Sequence, residues 1–146
     1  MLTASYGDDE REGLKHFLQA YLACVAFPDE QVGKLLDALN NSSFRENTIV
    51  VLTSDHGWQM GEKQYLFKNS PWGSSTHIPL IVHSPGCVVN QTVNQPVSLI
   101  DIFPTLTELC NLSGSNKKNN AGYPLGGKSL KPLLDASKEN NREGQG

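Results

Sequence analysis

Two side chains that can bind a metal ion or move a proton stand side by side in the sequence, Asp55 and His56. A carboxylate binds hard cations, while an imidazole binds zinc-like metals or acts as an acid or base. The pair follows an apolar, β-branched run at residues 48–53, which predicts a strand buried on both faces. Gly57 is expected to permit the sharp turn that ends this strand. Ligands bind beyond the carboxyl ends of strands in open α/β sheets, yet the dipeptide alone favours a simple strand cap over a metal site.

The composition narrows the class of protein. A chain of 146 residues, 38% hydrophobic, fits one modest domain or part of a larger one. Its net charge of -3 provides no basic surface for nucleic acid, and its apolar runs are too short to span a bilayer, so we expect a soluble protein with neither as a partner. The three cysteines lack CxxC spacing and are predicted to be buried thiols. Residues 1–10 contain no pattern typical of a secretory signal.

The elements that must position Asp55 and His56 alternate between helix and strand, which favours an α/β fold with part of a mostly parallel sheet flanked by helices. Apolar residues at three- and four-residue spacing predict helix on both sides of Pro28, as two helices or one kinked helix. The segment over the pair, residues 59–75, has no clear period and is predicted to be a loop. The other predicted elements are strands at 48–53 and 79–83 and helices at 11–26, 101–110 and 129–134.

The chain is predicted to consist of three parts. Residues 1–10 form a polar N-terminal segment, and residues 11–134 carry the folded elements. Residues 135–146 form a polar tail with almost no apolar residue after Ala136, expected to be disordered or loosely attached. Residues 113–127, rich in Ser, Asn, Lys and Gly, are predicted to form a surface loop within the central part.

Two stretches after the strand carry a larger pattern, SDHGWQMGEKQYLFK at residues 54–68 and STHIPLIVHSPG at residues 75–86. Lys68 lies thirteen residues after Asp55, with a Gly-Glu pair between them. In these stretches the chain resembles the sulfatase family of the alkaline phosphatase superfamily, most closely its iduronate-2-sulfatase and choline-sulfatase-like members. The resemblance continues through residues 11–134 and implies an alkaline-phosphatase-like α/β fold.

The resemblance also implies roles for three residues. Asp55 and His56 match the positions that supply two ligands to a divalent cation, usually calcium, although imidazole suits zinc better and zinc or manganese stay open. Lys68 matches the contact to the substrate sulfate. The implied partner is a sulfated small molecule or sulfated carbohydrate, and members of the family are often secreted, periplasmic or lysosomal.

Several nearby side chains admit two interpretations. His77, in the T-H-I-P segment, is predicted to be a buried structural histidine, with a place in the pocket as the alternative. Trp58, Tyr65, Phe67 and Trp72 form either a wall for a sugar or aryl group or the packing of the loop.

The nucleophile implied by the family is missing from this sequence. Sulfatases attack sulfur with a formylglycine made from a C/S-x-P-x-R motif, and no such motif occurs here; Cys24, with Pro28 four residues later, does not match it. We therefore expect the C-terminal part of a sulfatase catalytic domain, inactive alone. The alternatives are a phosphodiesterase or phosphonate hydrolase of the same superfamily, or a non-catalytic truncated domain.

Overall fold

The computed structural model describes residues 9–87, 90–113, 117, 119 and 121–135. The chain divides after Pro85 into two compact units. The predicted polar segment at residues 1–10 and the predicted tail at 135–146 lie outside the described residues, except for their innermost positions.

The first unit begins with one long helix, α1, at Glu10–Asn40. Asp9 caps it, since its carboxylate accepts hydrogen bonds from the backbone N–H groups of Arg11 and Glu12 at 3.0 and 3.1 Å. Pro28 lies inside the helix, so the one-helix alternative is correct. Proline removes one backbone hydrogen bond, but the apolar period continues across it and the helix is not ended.

The two predicted strands form an antiparallel pair in the first unit. β1, Val50–Thr53, pairs with β4, Leu80–His83, in a register that sets Val50 opposite His83 and Thr53 opposite Leu80. The prediction that the first strand is buried on both faces is wrong, because Leu52 is 40% exposed and Ile81 on its partner is 56% exposed. Pairing covers the edge of a strand and leaves its faces open, so burial requires a further packed layer.

The segment predicted to be a loop contains a small hairpin. β2, Gln59–Met60, pairs antiparallel with β3, Leu66–Phe67, and a 3₁₀ turn at Glu62–Gln64 joins them. The turn uses left-handed backbone at Gly61, Lys63 and Gln64. Lysine and glutamine are not residues typical of turns, so the sequence did not predict a turn at these two positions. A four-residue helix, α2 at Gly73–Thr76, follows.

All strand pairing among the described residues is antiparallel, in the pairs β1–β4 and β2–β3. The α/β class is consistent with these elements, whereas the predicted parallel sheet is not seen in this part of the chain. The outer edges of the β1–β4 pair leave room for further strands, and its exposed apolar faces leave room for a further layer.

The second unit is organised around α3, Ile102–Leu109, and a short helix α4, Lys131–Asp135. Thr105 is 2% exposed, and its hydroxyl donates to the Asp101 carbonyl at 2.6 Å and accepts from the Leu130 N–H at 2.8 Å. Leu130 is itself buried. The predicted helices near 101–110 and 129–134 are therefore found within two residues of the expected ends.

The surface of the described residues carries many large apolar side chains. Helix α1 alone exposes Leu18, Leu22, Val25, Phe27, Leu35 and Leu36. The cysteine prediction is wrong for two of the three, because Cys24 and Cys110 are exposed and only Cys87 is partly buried. Across the described part of the chain, no helix is both long and apolar enough to span a membrane.

Candidate functional site

The three residues singled out by the sequence lie together at the end of β1. The Lys68 ammonium Nζ is 2.9 Å from His56 Nε2, and Asp55 Oδ1 is 3.5 Å from the same nitrogen. The β2–β3 hairpin returns the chain to this point and so closes the thirteen-residue gap between Asp55 and Lys68. A carboxylate, an imidazole and an ammonium are thus brought into one cluster.

The tautomer of His56 follows from its hydrogen bonds. Its Nδ1 lies 2.8 Å from the Gly57 carbonyl oxygen, which can only accept, so Nδ1 carries the hydrogen and donates it. In the neutral ring Nε2 then has a free lone pair, and the Lys68 ammonium donates to it. The Ser54 hydroxyl donates to the His56 carbonyl at 2.7 Å and fixes the backbone beneath the ring.

Two side chains of the cluster are of types that can ligate a cation. The Asp55 side chain is 82% exposed and that of His56 is 30% exposed, so both can be reached from solvent. A donated Nδ1–H to a backbone carbonyl, with Nε2 left as the ligand atom, is the usual arrangement of a metal-binding histidine. Within the described residues no group of three or more His, Cys, Asp or Glu side chains is placed to hold a metal. Asp55 and His56 are two adjacent groups of the types that can ligate one.

Gly57 holds the site loop against the α2 segment. Its N–H donates to the Ser75 carbonyl at 2.8 Å, and a Cβ on this residue would lie only 2.2 Å from the Ser74 carbonyl oxygen. Ser75 is buried, and its hydroxyl is 2.8 Å from that of Ser70. The prediction that Gly57 serves a sharp turn needs correction, because the close approach of another backbone is what requires glycine here.

An aromatic cluster packs behind the site. The Trp58 ring lies 6.2 Å from the His56 ring and 5.7 Å from the Phe67 ring, between centroids. From α1, Phe17 and Tyr21 contact Trp58 at 6.3 and 6.2 Å. The packing interpretation therefore holds for Trp58 and Phe67, and α1 is the platform on which the site loop rests.

The Gly-Glu pair has a structural use in the hairpin. The Glu62 carboxylate accepts from the Met60 N–H at 2.7 Å. Gly61 takes a φ of 106°, and a Cβ on it would lie 3.4 Å from the Leu14 side chain of α1. Sequence reasoning missed this contact with α1, although the apolar spacing of Leu14, Phe17 and Tyr21 was its signal.

Three other side chains near the site differ in their exposure and contacts. His77 is exposed, so the prediction of a buried structural histidine is wrong. The Lys63 ammonium sits 4.1 Å from the centre of the half-exposed Trp72 ring, a cation–π contact. Gln59, which had not been singled out, is 1% exposed and its side-chain oxygen has no hydrogen-bond partner.

Comparison with known proteins shows the family of this chain. The family model described as "Sulfatase" matches residues 3–112. The chain belongs to the sulfatase family. A sulfatase of Formosa agariphila is 46% identical over 67% of this chain and 19% of its own length. Arylsulfatase K of Canis lupus familiaris is 36% identical over 82% of this chain and 22% of its own length.

Solved structures lead to the same family and superfamily. BT4656, determined in complex with its substrate D-glucosamine-2-N,6-O-disulfate, superposes with a TM-score of 0.66 and 28% identity over 84% of this chain and 24% of its own. Phosphonate monoester hydrolase from Silicibacter pomeroyi gives a TM-score of 0.65 and 27% identity over 76% and 21%. The sulfatase chain described here spans about a fifth of the length of the curated relatives it matches.

Proposed function

We propose that this chain is the C-terminal part of a sulfatase catalytic domain and contributes half of a cation site and a sulfate contact to a sulfuric ester hydrolase. The observation that carries the proposal is the convergence of Asp55 and Lys68 on one nitrogen of His56, within 3.5 Å. Closeness to iduronate-2-sulfatase or choline sulfatase is part of the same proposal and rests on the T-H-I-P-L-I and Gly-Glu segments.

Asp55 and His56 would hold the cation through a carboxylate oxygen and the Nε2 lone pair. A bound divalent cation, calcium by family precedent with zinc or manganese as alternatives, supplies Lewis-acid polarisation of sulfate oxygens and of the nucleophile. The Nδ1–H bond to Gly57 keeps the imidazole in the tautomer that leaves Nε2 available.

Lys68 would bind the sulfate. An ammonium has three N–H donors. One is donated to His56 Nε2 in the structure, and it too would be free for an anionic oxygen once a cation took the Nε2 lone pair. Placed against the group being transferred, its positive charge offsets the negative charge that develops on the leaving oxygen. The exposed position of Lys68 leaves it open to a substrate.

The nucleophile and the other ligands would come from the rest of the domain. The sequence contains no C/S-x-P-x-R motif from which formylglycine is made, and the described residues offer two cation ligands at the site. In the described residues β1 and β4 pair only with each other, so their outer edges support the presence of further strands, which by family would complete a mostly parallel sheet. Their exposed apolar faces support a further packed layer.

The substrate class we propose is a sulfated carbohydrate or another small sulfate ester. Support comes from BT4656, a structural neighbour whose bound substrate is a disulfated glucosamine. The aromatic rings of Trp58 and Phe67 pack against Phe17 of α1, while the faces that Phe67 and Trp72 leave exposed are open to a sugar.

The test uses the purified 146-residue chain. We expect calcium binding by titration calorimetry, loss of that binding in His56→Ala, and no hydrolysis of an aryl sulfate. His83→Ala is the matched control, since His83 is also an exposed histidine at the end of a strand. Calcium-dependent hydrolysis by this chain would contradict the proposal that the nucleophile and the other ligands lie in the rest of the domain. Unchanged calcium affinity in His56→Ala would favour a non-catalytic domain.

A phosphonate or phosphodiester hydrolase is the second candidate function. The structural likeness to phosphonate monoester hydrolase favours it, because the TM-scores of the two neighbours are 0.65 and 0.66. Two titrations distinguish the sulfatase from this alternative. The side-chain NMR resonances of Lys68 are followed as methyl sulfate is added, and again as methylphosphonate is added. Tighter binding of methyl sulfate supports the sulfatase, and tighter binding of methylphosphonate supports the alternative.

A further inference from the structure

The residue before Lys68 has an unusual backbone conformation. Phe67 has a φ of 85°, a value that a bulky side chain rarely adopts and that costs free energy relative to extended backbone. Such a conformation persists only where surrounding contacts impose it. We therefore expect the contacts that hold Phe67 in this backbone conformation to serve a function.

Two kinds of contact hold Phe67. Its backbone lies in β3 opposite Gln59, in the hairpin that leads back to the site. Its ring makes edge-to-face contacts with Trp58, at 5.7 Å and 77°, and with Phe17 of α1, at 6.4 Å and 88°. Edge-to-face geometry is the favoured arrangement of aromatic pairs. These contacts therefore fix the orientation of the ring, although Phe67 itself stays 45% exposed.

His56 and Phe67 both contact the same tryptophan, Trp58. Trp58 contacts the His56 ring on one side and the Phe67 ring on another, and Lys68 follows Phe67 directly. The direction in which the chain leaves Phe67 determines where the Lys68 ammonium can reach. In this geometry it reaches His56 Nε2 at 2.9 Å.

We propose that Phe67 is a positioning residue whose ring, held by Trp58 and Phe17, fixes the backbone turn that brings the Lys68 ammonium to His56. The inference rests on the proposed function for its biological meaning. The arrangement itself can be tested without cation, sulfate or turnover, so its failure can be told apart from failure of the proposed function.

The experiment records the side-chain ¹⁵N resonance of His56 Nε2 in the full chain by NMR. Lys68→Met defines the resonance position when the ammonium is absent. We expect Phe67→Leu to move the resonance most of the way to the Lys68→Met position, and Phe67→Tyr, which keeps a ring, to leave it at the native position. Phe44→Leu is the control, because Phe44 is 66% exposed and lies outside the cluster.

A merely structural role gives a different pattern. It would lower the thermal midpoint of Phe67→Leu while leaving the His56 resonance at its native position, and that result would overturn the proposal. A shift in Phe67→Tyr equal to that in Phe67→Leu would also overturn it.

A second variant covers the case in which Phe67→Leu does not fold, as judged by circular dichroism. Phe17→Leu removes one of the two ring contacts to Phe67 from outside the site loop. We expect it to move the His56 Nε2 resonance part of the way in the same direction. A folded Phe17→Leu chain with a native resonance would contradict the proposal.

Discussion

Asp55 and Asp101 are carboxylates of the two compact units, and the chain uses them differently. Asp101 accepts backbone N–H groups of Lys128 at 2.8 Å and Ser98 at 2.9 Å. Asp55 is 82% exposed, and its closest recorded partner is His56 at 3.5 Å. The oxygens of Asp101 are therefore occupied in holding the second unit together, whereas those of Asp55 remain available to a ligand. A carboxylate that the fold does not use is the stronger candidate for chemistry.

Two glycines, unlike the two carboxylates, are used alike in the two units. Gly57 and Gly127 both lie so close to a backbone carbonyl that an added Cβ would be 2.2 and 2.3 Å from its oxygen. Gly57 supports the site loop, while Gly127, with a φ of 97°, precedes the Lys128 N–H that Asp101 accepts. Both regions need close backbone packing, so tight packing alone does not mark a functional site.

The largest predicted effects come from filling these glycine positions. Gly127→Ala is expected to destabilise its unit by about 1–3 kcal/mol through the clash, with about 1 kcal/mol more for the left-handed backbone. Gly57→Ala should cost about 1–3 kcal/mol and also weaken cation binding, because the Gly57 carbonyl orients His56. Chemical denaturation measures the stability terms.

Gly33→Ala is the matched control for both substitutions. Gly33 lies inside α1 with nothing within 4 Å of an added Cβ, so alanine should stabilise the chain by roughly 0.5–1 kcal/mol. Equal destabilisation by all three alanines would contradict the close-approach explanation.

Exchanging the two carboxylates for amides should give opposite results. Asp55→Asn is expected to lower calcium affinity about tenfold or more while leaving the free energy of unfolding within about 0.5 kcal/mol. Asp101→Asn should lower the thermal midpoint and leave calcium affinity unchanged. Calorimetric titration measures the calcium affinity of each variant, and thermal unfolding measures its stability. Loss of calcium affinity in both variants would contradict the proposed difference between Asp55 and Asp101.

Acid should remove the contribution of Asp101. The hydrogen bonds from Lys128 and Ser98 N–H hold the pKa of the Asp101 carboxyl below its usual range. A carboxyl with a lower pKa folded than unfolded stabilises the fold above its unfolded pKa and loses that effect as the pH falls through its folded pKa. The difference in thermal midpoint between the native chain and Asp101→Asn should therefore be largest near pH 7, which is about three units above the ordinary Asp pKa. This difference should shrink in acid. A difference that grows in acid would show the opposite sign.

The smallest predicted effect concerns Lys68. Its ammonium donates to the same His56 Nε2 lone pair that a cation would use, and its charge repels a cation nearby. Lys68→Met should therefore raise calcium affinity a few-fold, on the order of 1 kcal/mol or less for charges near a surface. Weaker calcium binding by Lys68→Met would indicate that the lysine supports the cation site rather than competing with it.

Sequence and structure agree best where the signal is local. Apolar spacing predicted the helix and strand positions to within a few residues. The family resemblance, which includes the thirteen-residue spacing, implied Lys68, and the structure places Lys68 beside His56. The roles of Asp55, His56 and Lys68 as ligands and sulfate contact stay predictions, since geometry shows proximity and not occupancy.

The features that sequence missed depend on contacts distant along the chain. The hairpin turn uses left-handed backbone at Lys63 and Gln64, which no residue type announced. Burial of β1 was predicted from composition, but burial depends on the layers packed against a strand. The aromatic cluster joins α1 to residues about forty positions later, a pairing that periodicity cannot supply.

The most direct test of the central claim locates a bound cation on the chain. Manganese replaces calcium as a paramagnetic probe and broadens NMR resonances close to it. The proposed half-site predicts that the His56 ring and Asp55 resonances broaden at the lowest manganese concentration, and that His56→Ala abolishes the effect. Broadening that begins instead at the acidic first turn of α1, Glu10 and Glu12, with His56 unaffected, would contradict the assignment.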